Sequence, residues 1–181
     1  MTLAVGSATM SLIENSESLS QLFGEHHRRI LTAAYRITGS MADAEDVSQG
    51  IFLRLAKASG QPISNAGSYL YRAAINASLD LLRQRKAAAA ESLEMAVDVA
   101  AAGSSPEAEA SGRQLGAALR LAIAELPARA AEMFSLRYLE DFDNREIAAM
   151  MHTSQAVVAV TLHNARSRLK KRLSELERGT K

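Results

Sequence analysis

Asp143 and Glu146, three positions apart, open the stretch of this chain with the most chemical content. A carboxylate there accepts from the amide three residues on while the second carboxylate reaches back, so the spacing predicts a helix starting at Asn144. Ile147, Ala148 and Met151 then share one face. His152, Thr153 and Ser154 make a three-residue turn, and the Ser154 hydroxyl is placed to cap a second helix at Gln155. In that helix Val158, Leu162, Ala165 and Leu169 recur at steps of four, three and four, the stripe of a packed helix, and the run ends in Arg166, Arg168, Lys170, Lys171 and Arg172. The chemistry is recognition, not bond-making: two helices joined by a tight turn, the second with a cationic end, build a helix-turn-helix reader of DNA.

A second constellation lies upstream. Tyr69, Arg72, Asn76, Asp80 and Arg83 recur at helical spacing and share a polar face carrying a ring, while Leu70, Ala73, Ala74, Ala77 and Leu81 turn the other way and can pack inward. Guanidinium, carboxamide and a stackable ring on one face suit single-stranded or melted nucleic acid. Other groups read more plainly. Adjacent His26 and His27 are surface residues of the first helix, not a metal site. Asp43, Glu45 and Asp46 are dipole partners in a first helical turn. Phe134, Tyr138 and Phe142 are assigned to the core. With no nucleophile and base pair and no phosphate loop, an enzyme is not expected, and no cofactor or metal is implied.

The elements that position these faces are helices. β-branched residues are few, alternation is not sustained, and alanine is abundant, so the fold class is all-α: two helical lobes joined by a flexible linker. In the first lobe helices are predicted over 18–38, 42–58 and 66–89, with Gly39-Ser40 and Gly60-Gln61-Pro62 as breaks and Asp43 as the second N-cap. Residues 1–17 are expected to be a disordered N-terminus, 18–90 the first lobe, 91–111 an acidic, alanine-rich linker, 112–175 the helix-turn-helix lobe and 176–181 a tail. Pro106 belongs near the start of the helix that leaves the linker.

Charge follows the same division. The chain of 181 residues carries a net charge of +1, yet residues 19–90 hold nine Lys/Arg against five acids, 91–111 hold five acids and no base, and 112–181 hold twelve bases against eight acids. Two basic lobes on an acidic strap argue for a polyanion partner of each lobe. There is no cysteine, which excludes a disulfide framework and thiolate zinc sites and fits a reducing compartment. The first thirteen residues lack the positive region and long apolar core of a signal peptide, and no apolar run approaches the roughly 20 residues of a membrane span. The reading is a cytoplasmic protein with no membrane segment of its own.

In this context the run Asp43-Ala44-Glu45-Asp46-Val47-Ser48-Gln49 through Phe52-Leu53-Arg54 gains meaning, as do Tyr69-Leu70-Tyr71-Arg72 with Asn76, Asp80 and Arg83. So do Glu125-Leu126-Pro127, Leu136-Arg137-Tyr138-Leu139-Glu140, Arg145-Glu146-Ile147-Ala148 and Leu162-His163-Asn164-Ala165-Arg166. Together, and in this order, they resemble the bacterial RNA polymerase sigma factors of the extracytoplasmic-function (ECF) group, over nearly everything from Ser18 to Leu173. The resemblance implies a promoter-specificity subunit with no active site of its own, whose partners are core RNA polymerase, promoter DNA and an anti-sigma factor. By analogy Asp46, Gln49 and Phe52 dock on the polymerase clamp, and Leu136 and Arg137 face its flap tip. Asn65, at the end of the loop from Gly60, would work with Tyr69, Arg72, Asn76 and Arg83 to open and hold the minus-10 element. The minus-35 element falls to Arg145, Ser154, Gln155, Val157, Val160, Thr161, His163, Asn164, Arg166 and Arg168.

The chain also departs from that family. Gly50 stands where the docking helix usually has an acid, and Tyr69 replaces a usual tryptophan. Val157, Ala159, Val160, Thr161 and Asn164 stand where threonine, lysine, serine, arginine and arginine are commoner, so an apolar strip of Ala156, Val157 and Val160 is predicted on the face that should read DNA. Three readings of that strip stand: contact with thymine methyl groups, a docking surface for a partner such as an anti-sigma factor, or packing against the first lobe. Gly50 and the depleted recognition helix motivate an alternative function, a degenerate sigma-like interaction protein with little promoter activity. A generic helix-turn-helix repressor would be a dimer on symmetric half-sites and leaves the first lobe unexplained.

Overall fold

Helix α1 spans Ala4–Thr38, α2 Met41–Lys57, α3 Ala66–Glu91, α4 Pro106–Ala124, α5 Ala128–Tyr138, α6 Asn144–Met150 and α7 Gln155–Gly179. The structure is a computed structural model that describes residues 4–57, 65–91 and 106–179, with the side chains before Leu19 and those of 106–111 outside the description. No strand occurs among the described residues, as the composition foretold. Most of the predicted linker, residues 92–105, and residues 60–64 of the predicted loop lie outside the described residues.

Local chemistry sets the boundaries. Gly39 ends α1 with φ +72° and donates its N–H to the Tyr35 carbonyl, a left-handed closure that glycine adopts without Cβ strain. Ser40 then caps α2: its hydroxyl accepts from the Asp43 amide at 3.3 Å. The predicted N-cap, Asp43, therefore sits inside the first turn, and its carboxylate is buried against Arg85 of α3, which grips both oxygens at 2.5 Å. Asn65 caps α3 by accepting from the Ser68 amide at 3.0 Å. The predicted capping box at α6 is present in both halves, Glu146 N–H to Asp143 and Asp143 N–H to Glu146, at 2.8 and 2.7 Å.

Two boundaries differ from expectation. α1 begins at Ala4, so most of the stretch expected to be a disordered N-terminus is helical; no proline before Thr38 interrupts it. α7 runs to Gly179, so the expected tail after residue 175 is largely its continuation.

The packing of α3 organises the molecule. One stripe, with Leu70 and Ala74 buried and Ala73, Ala77 and Leu81 against them, closes on Ile30, Ala34, Ala44, Val47, Ile51 and Phe52 of α1 and α2. A second stripe, Ile75, Leu79 and Leu82, lies roughly 150° around the helix at about 100° per residue. It joins Ile37 of α1 in a core with Ile123, Leu126, Met133, Leu136, Ile147, Val158, Leu162 and Leu169 of the C-terminal helices. The two lobes are thus sealed along α3 by a continuous apolar core. Of the three aromatic residues assigned to that core, Phe134 and Phe142 are partly buried, whereas Tyr138 is exposed, its ring tilted against Phe134 at 4.5 Å.

Candidate DNA-reading and polymerase-docking surfaces

The helix-turn-helix unit is built as the sequence predicts. α6 buries Ile147 and Ala148, Met151 closes its end, and His152 takes φ +49° to turn the chain. The Ser154 hydroxyl accepts from the Val157 amide at 3.3 Å, starting α7. Val158, Leu162, Ala165 and Leu169 are buried, each 5% exposed or less. The opposite face of α7 carries, from its N-terminal end, Ala156, Val157, Val160, His163, Asn164, Ser167 and Lys171, all exposed, with Thr161 half-buried at its margin. Gln155, Arg166 and Arg168 are exposed to either side, as is Arg145 on α6. Val157 and Val160 are 47% and 61% exposed, which overturns the reading in which the strip packs against the first lobe.

The first-lobe face is different in character. Tyr69, at 51% exposure, offers its ring to solvent, and Asn65 beside it is exposed although its side chain serves as a cap. Asn76 is half-buried, and Arg83 spans the Asp80 carboxylate at 2.7 Å and the Ala124 carbonyl at 2.8 Å. Arg72 donates to the buried Glu132 carboxylate of α5 at 2.6 Å and to the Met150 carbonyl at 2.9 Å. Two of the five residues expected to meet the minus-10 element are therefore engaged by the other lobe. At about 100° per residue, Arg72 and Arg83 sit next to the Ile75 and Leu79 stripe, whereas Tyr69 lies further around and stays free.

A second acid completes the seam. Glu140, just beyond α5, is half-buried with its side chain 3% exposed, and accepts from Arg36 of α1 and from the Tyr71 hydroxyl, both at 3.0 Å, while Arg36 also donates to the Leu139 carbonyl at 2.7 Å. Arg29 lies over the Tyr71 ring, whose edge meets Phe142. Burial and the Glu140 charge push the Tyr71 phenol above its ordinary value of 10.0. At the far end Glu125 joins Lys86 of α3 to Arg172 of α7. Burial alone would raise the Glu125 carboxyl, but hydrogen bonds from Lys86 and Arg172 outweigh it and hold the group below its ordinary 4.5.

Arg36, Tyr71, Glu125, Glu132 and Glu140 were not singled out by the sequence reading as a set. The available signal was the Ile75, Leu79 and Leu82 stripe, which gives α3 a second face to bury.

The expected polymerase-docking residues divide by burial. Asp46 and Gln49 are exposed on α2 and free to meet a partner. Phe52 is 7% exposed, its ring edge on Phe23 at 4.8 Å, so it supports α2 from beneath and does not present itself. Leu136 is fully buried and is likewise core; Arg137 is half-buried, donating to the Phe142 carbonyl at 3.1 Å. The amphipathic period places both apolar residues inward, and the expectation of direct contact is corrected for both. The exposed large apolar side chains on α2 are Met41 and Leu53, the latter 60% exposed.

Comparison with known proteins matches the two lobes separately. Residues 22–88 match the family Sigma-70 region 2, and residues 116–169 match Sigma-70, region 4. The ECF RNA polymerase sigma factor SigW of Bacillus subtilis is 25% identical over 172 residues, covering 90% of this chain and 92% of that protein. The ECF RNA polymerase sigma factor SigE of Mycolicibacterium smegmatis is 30% identical over 161 residues, 87% of this chain; the match spans 62% of SigE's length. In architecture the chain is similar to CnrH, solved in complex with the cytosolic domain of CnrY, at a TM-score of 0.53 and 21% identity over 93% of this chain and 95% of that one. Both region families matched in order, on an all-helical fold with a formed helix-turn-helix, show that the chain belongs to the sigma-70 family, in its extracytoplasmic-function group.

Proposed function

We propose that the protein is a promoter-specificity subunit that joins core RNA polymerase and directs initiation at promoters with minus-10 and minus-35 elements. The observation that carries this reading is the pairing of a completed helix-turn-helix with an upstream lobe bearing an exposed stacking ring, each matched by its own sigma region. A repressor needs only the first of these. α7 enters the major groove, its basic C-terminal half neutralising phosphates, and Tyr69 with Asn76 holds unstacked bases of the minus-10 strand. Polymerase meets the exposed face of α2 around Asp46 and Gln49. The protein acts where polymerase is, in the cytoplasm.

This function demands a rearrangement. Arg72 and Arg83 are tied into the lobe seam, and the second lobe covers that side of α3, so holding melted DNA there requires the lobes to part. Polymerase, by binding the two lobes at separate places, supplies the free energy for opening; a protein partner that binds both lobes together, as an anti-sigma factor would, stabilises closure. The test is permanganate reactivity of thymines mapped over a pool of genomic fragments with core polymerase and this chain. Opened segments that need both proteins are expected, and Tyr69→Ala should lower opening by about 10-fold, the order of one lost base stack, while polymerase binding by gel filtration is kept. Polymerase binding without any opened segment contradicts the proposal.

A further inference from the structure

The DNA-facing side of α7 changes character along its length. From Gln155 to Leu173 there is no acid, and the cations Arg166, Arg168, Lys170, Lys171 and Arg172 all fall in the C-terminal half. The N-terminal half offers Ala156, Val157, Ala159 and Val160, all exposed, Val157 and Val160 by 47% and 61%. In a docked helix-turn-helix it is the N-terminal residues of the second helix that meet base edges, while cations further along meet phosphates. Here the residues of the strip, Ala156, Val157 and Val160, donate and accept nothing through their side chains. The one apolar group a base pair shows in the major groove is the C5 methyl of thymine.

We propose that Val157 and Val160 determine specificity by packing on the C5 methyl groups of adjacent thymines in the upstream promoter element. The two side chains lie three positions apart and share the outer face, so they meet neighbouring base pairs. The occupant is DNA and not an apolar protein surface because the strip is two valines wide and continuous with the acid-free, cationic stretch from Arg166 to Leu173. A stable protein contact buries about 800 Å² on each partner and is centred on larger anchors. Hydrogen-bonding groups flank the strip, Gln155 before it and Asn164 after it, and would read the bases at either end. This inference rests on the sigma reading and adds what the second lobe selects.

Uracil differs from thymine only by that methyl, so it isolates the contact. The probe is a duplex library with a segment of about ten base pairs, one helical turn, randomised upstream of a fixed start region. It is prepared once with thymine and once with uracil and is selected by holoenzyme assembled from the full chain and core polymerase. The wild type should enrich one or two adjacent thymines, and uracil should weaken that preference about 4-fold per methyl, the factor a buried methyl-sized group supplies. Val160→Ala, which keeps a good helix former, should make the two libraries equivalent at one position; Val157→Ala should do so at its neighbour. Equal selection from both libraries by wild type, or enrichment without thymine, overturns the methyl contact while leaving promoter reading intact. No upstream selection from either library, or no assembly with core polymerase, removes the sigma reading and this inference with it.

Discussion

Single residues in this chain trade stability against position in ways the structure makes measurable. Gly50 lies mid-helix in α2, and a Cβ there would meet nothing nearer than the Arg54 guanidinium at 4.0 Å. Gly50→Ala should stabilise the protein by about 1 kcal/mol in urea unfolding, the usual cost of glycine inside a helix. Gly39 is the contrary case. With φ +72° and the Arg120 guanidinium 2.7 Å from where a Cβ would stand, Gly39→Ala should destabilise in the same assay. Legibility at this scale followed the range of the interaction. The Asp143 and Glu146 box and the Ser154 cap were readable because both partners lie within three residues. Asp43 was misread as a cap because its true partner, Arg85, is 42 residues away on another helix.

At the scale of elements, α6 is only seven residues long and depends on its ends. Asp143→Ala removes the side-chain half of the capping box and should cost about 1 kcal/mol of stability, with faster amide exchange at Glu146 and Ile147. The buried stripe of α7 was fully legible from its four-three-four spacing, whereas the exposure of Val157 and Val160 on its outer face was not, since the spacing alone left packing against the first lobe open. Helix α3 was half legible. Its polar face was read as one free surface, yet the second apolar stripe at Ile75, Leu79 and Leu82 draws a lobe over Arg72 and Arg83 and leaves Tyr69 outside. Phe52 and Leu136 show the complementary error: carried over as docking residues, they obey their own periodicity and turn inward. The exposed set on α2 is centred on Asp46, Gln49 and Leu53.

Over the whole molecule, the lobes close through an apolar core ringed by charge. Glu132 on Arg72, Glu140 on Arg36 and Tyr71, and Glu125 on Lys86 and Arg172 fix their register. Glu132→Gln weakens a charge-assisted bond worth roughly 1.5–3 kcal/mol. Paired with Glu140→Gln, it should raise the radius of gyration in small-angle scattering and speed assembly with core polymerase. Unchanged values for the double variant would mean that the apolar core alone holds the lobes together. Acid acts on the same seam: because the folded Glu125 carboxyl titrates below 4.5, its contribution is present above that pH and is lost as pH falls through the lower folded value. Wild type should therefore loosen on acidification in this range, and Glu125→Gln should remove that part of the pH dependence. None of these pairs was visible in the sequence, since each joins residues more than thirty positions apart; the two basic lobes were, because charge composition survives without knowing the fold. The most direct test of the central claim is transcription in vitro by core RNA polymerase across a genomic promoter library, with and without this protein. The account predicts new start sites that share a two-part upstream sequence and vanish when the protein is omitted; an unchanged set of start sites, with the protein bound to polymerase, would contradict it.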